Sequence, residues 1–341
     1  AGYPKDFTQS PMRPLECGFD YHFGTPGSND VPAPPGKRQT REVFDHCTKF
    51  SFPVPLIRGR KVVEHPTNQE LLTRRYTAEA VKWIRTPRDK PFFLYLAHNM
   101  PHAPIFASKQ FQGSSDGGRY GDVIEEIDWS VGKIIDSLKE NGIDEKTLVI
   151  FTTDNGPWLS YGNHAGSAEP LREGKGTAWE GGVRVPCIMR WPGKIAPGKI
   201  CSEPAMTIDL LPSIAEISGT SLPKHKIDGK SIWPLMKGKG ESPHEAYYFY
   251  WGTSLHAIRK GKWSLHLPHS YRSLKDRPGN DGIPSKYIQK QTEMALFDLR
   301  KDIGQKKNVS QEYPEIVSSL KNLGEKHMEY VRKNQRSAAK Y

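Results

Sequence analysis

Apolar residues at helical spacing predict three helices in the first two-thirds of the chain. Apolar side chains three and four positions apart run through residues 71–84, and Pro87 ends the helix that they predict. The same spacing over residues 120–138 predicts a second amphipathic helix. Residues 207–218 predict a short helix that ends at Gly219, a residue type common just past a helix C-terminus.

Three apolar runs between these helices predict strands. Residues 92–97 and 147–152 are continuous runs typical of strands buried on both faces, and residues 185–191 predict a third strand. Strands that alternate with amphipathic helices predict an α/β fold, with a mostly parallel sheet flanked by helices.

The pattern changes after residue 238, which predicts a boundary between a domain of residues 1–238 and a smaller subdomain of residues 239–341. Short strand-like runs joined by tight turns, followed by one helix over residues 313–332, predict an antiparallel sheet that carries a helix. The predicted strands are residues 247–251, 256–258, 262–267 and 295–299.

Composition excludes several classes of protein. The 341 residues are 36% hydrophobic and 26% charged, with a mean hydropathy of −0.66, and no apolar run approaches the ~18 residues that span a bilayer. The 49 Lys and Arg exceed the 38 Asp and Glu by 11, but the basic residues are scattered and no nucleic-acid-binding motif occurs, so we expect no nucleic acid partner. Four cysteines without a C-x-x-C pair argue against a zinc or thioredoxin-type site and leave zero, one or two disulfides open.

Two of the predicted strands end in residues that can do chemistry. His98 and His102 follow the first strand, and Asp154 and Asn155 follow the second. Ligands bind beyond the carboxyl ends of strands in open α/β sheets, so we expect these side chains near one site. Asp154 and Asn155 offer oxygen ligands suited to Ca²⁺ or Mg²⁺, while an Asx turn is the alternative interpretation of the same residues.

A glycine-rich loop follows, over residues 172–184. Lys175 lies between two glycines there, where the backbone can approach a ligand closely and a mobile cation can meet an anion. The loop matches neither a Walker A loop nor a Rossmann fingerprint, so by itself it does not identify a function.

Together these pieces resemble the sulfatases of the alkaline phosphatase superfamily, nearest the arylsulfatases and N-acetylgalactosamine-6-sulfatases. The resemblance covers nearly the whole chain, with the matching stretches in family order. These stretches are residues 18–24, 91–102, 151–156, 172–184, 191–193, 209–212, 228–229, 261–263 and 296–299. The resemblance implies an alkaline-phosphatase-like fold and hydrolysis of aryl or carbohydrate sulfate esters.

The resemblance also implies a role for each candidate residue. Asp154 and Asn155 match two ligands of the family's single Ca²⁺ ion, and Lys175 matches the lysine that holds the sulfate oxygens. His102 matches the histidine that binds sulfate and helps to protonate the departing alcohol. Such roles suit the chemistry, because cations aimed at the ester oxygens stabilise spread negative charge and an imidazole can act as a general acid. His98 and His164 lie on predicted loops beside the pocket and are expected to contact substrate.

Part of the family pattern does not occur in the sequence. The 341 residues contain no Cys/Ser-x-Pro-x-Arg motif, whose first residue becomes the formylglycine nucleophile, and no early Asp-Asp metal pair. We therefore expect an N-terminally truncated fragment, the downstream two-thirds of a sulfatase, with no turnover by itself. The irregular residues 1–66 then belong to the middle of a longer chain. Family habit favours a secreted, lysosomal or periplasmic enzyme.

Two other functions stay open at this point. A phosphodiesterase or phosphonate hydrolase of the same superfamily would share the fold, although the glycine-rich loop favours a sulfatase. A noncatalytic relative would hold sulfated glycan on its basic surface without turnover. The motifs do not identify the substrate, because the loops at residues 113–119 and 269–286, which we expect to shape the pocket, belong to none of them.

Overall fold

The computed structural model describes residues 13–31 and 48–335, and this part of the chain forms six α-helices. They are α1 (Leu72–Arg85), α2 (Gly118–Glu140), α3 (Glu180–Val183), α4 (Leu210–Ser218), α5 (Trp233–Met236) and α6 (Pro314–Asn334). Short 3₁₀ turns lie at Pro14–Glu16, Gln69–Leu71, Asp144–Lys146, Leu159–His164 and Thr207–Asp209.

Strands in the same part of the chain form four separate sheets. The first contains β1 (Phe23–Gly24), β2 (Leu56–Arg58) and β3 (Lys61–Glu64), and the second contains β4 (Val149–Thr152) and β5 (Cys187–Arg190). The third has the order β11-β8-β7-β6, from β6 (Tyr247–Trp251), β7 (Ser254–Lys260), β8 (Trp263–His266) and β11 (Ala295–Asp298). The fourth pairs β9 (His269–Leu274) with β10 (Tyr287–Thr292).

Helices α1, α2 and α4 form where the apolar spacing predicts them, whereas the short α3 and α5 were not predicted. α1 ends at Arg85, two residues before Pro87, because the residue that precedes a proline disfavours the helical conformation. α1 packs against α2, where Thr77 Oγ1 donates a hydrogen bond to Ser130 Oγ at 2.6 Å. α4 ends at Gly219, which takes the left-handed conformation with φ 69°.

The apolar run over residues 92–97 does not form the predicted strand. It is extended but pairs with no strand of the described residues. Leu96 packs against the cluster of Leu56, Leu72 and Tyr76, whereas Phe93 and Tyr95 are 62% and 71% exposed. The prediction of a strand buried on both faces is wrong here, because only one side of the segment is covered.

The mixed α/β fold is confirmed, but the predicted parallel sheet is not found within residues 13–31 and 48–335. Each strand pair in those ranges is antiparallel. Thr152 of β4 lies opposite Cys187 of β5, because the loop between them brings the chain back beside β4 without a long helical crossover. Phe151 and Ile188 on this pair are 38% and 64% exposed.

The C-terminal sheet and helix match the prediction closely. Strands β6, β7, β8 and β11 and helix α6 fall on the predicted runs. Ile258, Leu265, Leu296 and Leu320 form a buried cluster between the sheet and α6. The β9–β10 hairpin was not predicted, since residues 269–286 were interpreted as a loop. The boundary at residue 238 stays a prediction.

Cysteines and helix hydrophobicity add two observations. Cys17, Cys187 and Cys201 are free and exposed, and Cys47 lies outside the described residues, so the disulfide question stays open there. In the described part of the chain, no helix has the length and apolar character that crossing a membrane requires.

Candidate active site

Backbone contacts join the loop that carries Asp154 to the glycine-rich loop. The Gly156 N–H donates to Gly182 O at 3.0 Å, and the Lys175 N–H donates to Pro157 O at 2.9 Å. A Cβ on Gly156 would lie 1.8 Å from Gly181 O, so only glycine permits this approach. The two loops therefore form one unit that fixes Lys175 relative to the Asp154 loop.

Trp158, at the end of the same unit, contacts both predicted catalytic residues. Lys175 Nζ lies 4.9 Å from the centroid of the indole ring, in a cation–π contact. The His102 imidazole lies 5.4 Å from the indole, centroid to centroid. The structure therefore brings His102 and Lys175 to one aromatic side chain, although they are 73 positions apart. The sequence motifs did not single out Trp158, although its position three residues after Asn155 could have suggested it.

Hydrogen bonding orients the His102 ring. Its Nδ1 lies 2.8 Å from the carbonyl oxygen of Ala103 and 3.4 Å from Ser28 Oγ. A carbonyl oxygen can only accept, so Nδ1 carries the hydrogen. Nε2 is then the nitrogen that can accept or deliver a proton at the site.

A segment around Asn29 adds a carboxylate to the site. The buried Asn29 Nδ2 donates to Pro104 O at 2.8 Å and to His102 O at 3.3 Å, which fixes this segment against the His102 loop. The neighbouring Asp30 is close enough that its charge raises the pKa of both His102 and Lys175. Nothing in the sequence pattern distinguished Asp30 from an ordinary turn residue.

Burial and neighbouring charges shift the pKa of both residues. Burial lowers the pKa of His102 and the Lys175 ammonium lowers it further, while Asp30 and Asp154 oppose this effect. Burial also lowers the pKa of Lys175, against the effect of the same two carboxylates. The four side chains thus form one electrostatically linked group, suited to hold an anion next to a titratable imidazole.

Asp154 and Asn155 present the oxygen chemistry that Ca²⁺ prefers. Asp154 is exposed and Asn155 is half-buried at the end of β4. A Ca²⁺ ion takes about six to eight oxygen ligands. Residues 13–31 and 48–335 contain no group of three or more His, Cys, Asp or Glu that could hold a metal. This pair therefore fits two positions of a calcium shell and does not complete it.

The other two predicted substrate contacts have different surroundings. His98 Nε2 lies 3.2 Å from Ser130 Oγ of α2, and burial lowers the pKa of His98 to about 4. His164 is buried, and its pKa is lowered by burial and by Arg119, with Asp281 acting in the opposite direction. The contacts of His98 are with a helix, whereas His164 is close to charged loop residues. Both roles stay predictions.

This geometry brings a cation and a titratable imidazole to one indole ring, and comparisons with known proteins identify the family. A sulfatase family model matches residues 2–220, and a model of the C-terminal region of aryl-sulfatase matches residues 242–341. A third model, N-sulphoglucosamine sulphohydrolase, C-terminal, matches residues 174–272. The chain belongs to the sulfatase family.

Individual relatives agree with the family models. N-acetylgalactosamine-6-sulfatase of Mus musculus is 35% identical over 340 residues, covering 93% of this chain and 63% of that protein. Arylsulfatase A of Homo sapiens is 34% identical over 329 residues, covering 91% of this chain and 64% of that protein. This chain thus spans less than two-thirds of the length of these relatives.

Solved structures share the fold of this chain. The PsFucS1 sulfatase from Pseudoalteromonas sp. superposes with a TM-score of 0.80 at 24% identity, covering 96% of this chain and 69% of that chain. Ps i-CgsB, solved with k-i-k-neocarrahexaose, superposes with a TM-score of 0.70 at 26% identity, covering 93% of this chain and 68% of that chain.

Proposed function

We propose that the complete protein containing this chain hydrolyses sulfate esters of carbohydrates or aryl alcohols. The observation that carries the proposal is the convergence of His102 and Lys175 on Trp158, next to Asp154. A sulfate ester spreads one negative charge over three oxygens, and its hydrolysis requires an alcohol to leave. A cation at the site can stabilise the charge on the oxygens, and an imidazole can protonate the departing alcohol.

Lys175 is the residue that holds the sulfate group. Its ammonium lies against the half-buried indole of Trp158, where less water screens its charge. Both flanking residues are glycines, and their lack of a side chain lets Pro157 and Arg272 pack closely against the loop that presents the ammonium.

His102 is the residue that protonates the departing alcohol. The Ala103 carbonyl holds Nδ1–H, so Nε2–H of the protonated ring is the donor toward the ester oxygen. Burial favours the neutral ring, but an anionic ester bound beside it favours the protonated form. Substrate binding and protonation of His102 therefore promote each other.

Asp154 and Asn155 would hold one Ca²⁺ ion, which would supply positive charge at the site when bound. The family nucleophile is formylglycine, and its motif does not occur in the 341 residues. The residues of this chain therefore bind the ester, orient it and deliver the proton.

A sulfated glycan is one candidate substrate class of this proposal, and an aryl sulfate is the other, because arylsulfatase A of Homo sapiens matches the chain as well. Ps i-CgsB has been solved with an oligosaccharide, k-i-k-neocarrahexaose, and the mouse relative is named for a sulfated sugar. His98 and His164 both stay predicted substrate contacts; Arg119 and Asp281 act on the pKa of His164, whereas His98 contacts Ser130. We propose a secreted, lysosomal or periplasmic location, because this is the typical location of the family's members.

The test uses the complete gene product, expressed in a host that forms formylglycine. Sulfate release is measured from an aryl sulfate, N-acetylgalactosamine 6-sulfate and a carrageenan oligosaccharide, with and without a Ca²⁺ chelator, beside a phosphodiester and a phosphonate ester. We expect calcium-dependent sulfate release, which Lys175→Met lowers about 10²–10³-fold in kcat/KM. The exposed Lys199→Met serves as the matched control and should change nothing.

Other results would support the alternative functions. Faster turnover of the phosphodiester or the phosphonate would indicate the other hydrolases of the superfamily. Binding of sulfated oligosaccharide without sulfate release would indicate a noncatalytic relative. A chain limited to the 341 residues should release no sulfate, because it contains no formylglycine motif.

A further inference from the structure

Arg272, on strand β9 of the C-terminal part, grips the backbone of Lys175. Arg272 Nε donates to the Lys175 carbonyl oxygen at 2.9 Å, and Nη2 donates to the same oxygen. The guanidinium also lies over the Tyr287 ring, 4.8 Å from its centroid, which restricts its movement. A Cβ on Gly176 would lie 2.5 Å from the guanidinium, so this packing requires the glycine.

The neighbours of Arg272 on β9 hold the residues before Lys175. Tyr271 Oη accepts a hydrogen bond from Arg172 Nη2 at 2.9 Å. Ser273 Oγ donates to Glu173 Oε1 at 2.9 Å, and Glu173 has a φ of 57°, a backbone conformation that non-glycine residues rarely adopt. Three consecutive β9 residues thus fix the glycine-rich loop in a conformation it would not favour alone.

The residues after Lys175 are also anchored in the C-terminal part. Trp179 is fully buried and stacks on His266 of β8, with 3.8 Å between ring centroids. The buried Glu180 carboxylate accepts a hydrogen bond from Arg259 Nη1 of β7 at 3.1 Å. The backbone N–H of Glu180 donates to Gln305 Oε1 at 2.9 Å. Both ends of the loop are anchored, and Arg272 contacts it between its two glycines, where the backbone has the greatest conformational freedom.

We propose that Arg272 is a positioning residue for Lys175, so that the C-terminal hairpin is part of the active site. This inference rests on the proposed function of Lys175. Gly174 and Gly176 would let the Lys175 peptide rotate, and a rotated peptide would move the ammonium away from Trp158 and the ester. The Arg272 fork prevents that rotation by holding the carbonyl from two nitrogens.

The first measurement is a kinetic double-mutant cycle on the complete, formylglycine-bearing protein. Arg272→Met should lower kcat/KM for a sulfate ester about 10–100-fold, because the loss comes from a misplaced cation. In a Lys175→Met background the same substitution should lower kcat/KM less than about 2-fold, because the two residues act as one unit. A full additional loss in that background would overturn the proposal, since it would mean that Arg272 acts on something else.

Arg272→Lys separates the fork from the charge. It keeps a cation in the same place but cannot hold one carbonyl from two nitrogens, so it should lose most of what Arg272→Met loses. Full activity of Arg272→Lys would overturn the proposal, and this variant decides the question if Arg272→Met does not fold. Arg277→Met, an exposed arginine on the β9–β10 connection, is the matched control and should retain the wild-type kcat/KM.

A second measurement does not depend on activity. Amide hydrogen exchange at residues 173–177 should become at least ~10-fold faster in Arg272→Met, while β8 and the Arg277→Met control keep the wild-type rates. Unchanged exchange in this loop would overturn the proposal. If the wild-type protein releases no sulfate, the proposed function fails, and the exchange result still decides whether Arg272 holds the loop.

Discussion

Apolar side chains are buried to different extents in two of the sheets. One is the β4–β5 pair, and the other contains β6, β7, β8 and β11. Ile258, Leu265 and Leu296 of the C-terminal sheet are fully buried, because α6 lies across them. Phe151 and Ile188 of the β4–β5 pair are 38% and 64% exposed. An apolar strand pattern thus predicts a face that should be covered, but it does not say which part of the protein covers it.

The two sheets also divide the work at the site. β4 leads directly into the loop with Asp154, Asn155 and Trp158, so it delivers the residues proposed to do the chemistry. The C-terminal strands and Gln305 hold the glycine-rich loop in place from behind. In this chain the buried C-terminal sheet supports the site, and the loop after the more exposed β4–β5 pair contains the site residues.

The largest expected effect on stability is in the C-terminal sheet. Ile258→Ala removes methyl groups from a fully buried position and should lower the free energy of unfolding by about 2–5 kcal/mol. Urea denaturation followed by far-UV circular dichroism measures the change. A loss below about 1 kcal/mol would show that this sheet is not the stable part of the chain.

Lowering the pH should also reduce the free energy of unfolding, by a smaller amount than Ile258→Ala does. His256 and His269 are stacked with 4.0 Å between ring centroids, and His269 lies 5.7 Å from His266, which Arg172 also faces. Burial is the main cause that lowers the pKa of each ring, that of His256 to about 4. Below about pH 6.5 the unfolded chain takes up protons that the folded chain does not, so stability falls as the pH drops from about 6.5 toward 4.

The measurement compares unfolding free energies at pH 7.5 and pH 5.0. The wild-type value should fall by about 1–3 kcal/mol from the histidines, and His256→Phe, which cannot titrate, should show a smaller fall. An equal fall in both proteins would assign the pH dependence to other groups.

The smallest effect should be on the exposed face of the β4–β5 pair. In the chain limited to the 341 residues, Ile188→Ala removes a side chain that is 64% exposed, so the free energy of unfolding should change by less than about 0.5 kcal/mol. The same urea titration measures it, with Ile258→Ala as the buried counterpart. A loss comparable to that of Ile258→Ala would mean that this face is covered in solution, and the contrast between the sheets would disappear.

Sequence patterns predicted the elements whose apolar residues meet partners nearby in the chain. Helix α6 and strands β6 to β8 were predicted because their alternation and turns are local signals. Residues 92–97 were wrongly assigned as a buried strand, because an apolar run alone cannot distinguish one covered face from two. The β9–β10 hairpin was missed because its exposed positions, apart from Ile288, are polar and its buried ones include His269 and Ser273.

The site shows the same division between local and long-range signals. Short motifs of consecutive residues contain Asp154, Asn155 and Lys175, so the family resemblance could single them out. Arg272 could not be predicted, because it reaches the Lys175 carbonyl across 97 positions and a hydrogen bond to a backbone oxygen leaves no residue pattern. Asp30 is likewise brought to the site by contacts between residues distant in the chain, such as those of the neighbouring Asn29.

The central claim is that Lys175 holds the sulfate while His102 protonates the leaving alcohol, and a leaving-group series tests it most directly. In the complete, formylglycine-bearing protein, kcat/KM is measured for sulfate esters of alcohols from acidic nitrophenols to sugars. His102→Asn should cost about 10²–10⁴-fold for sugar sulfates and little for nitrophenyl sulfates, which leave without a proton. Lys175→Met should cost a similar factor for every ester. Equal losses across the series in His102→Asn would contradict the account.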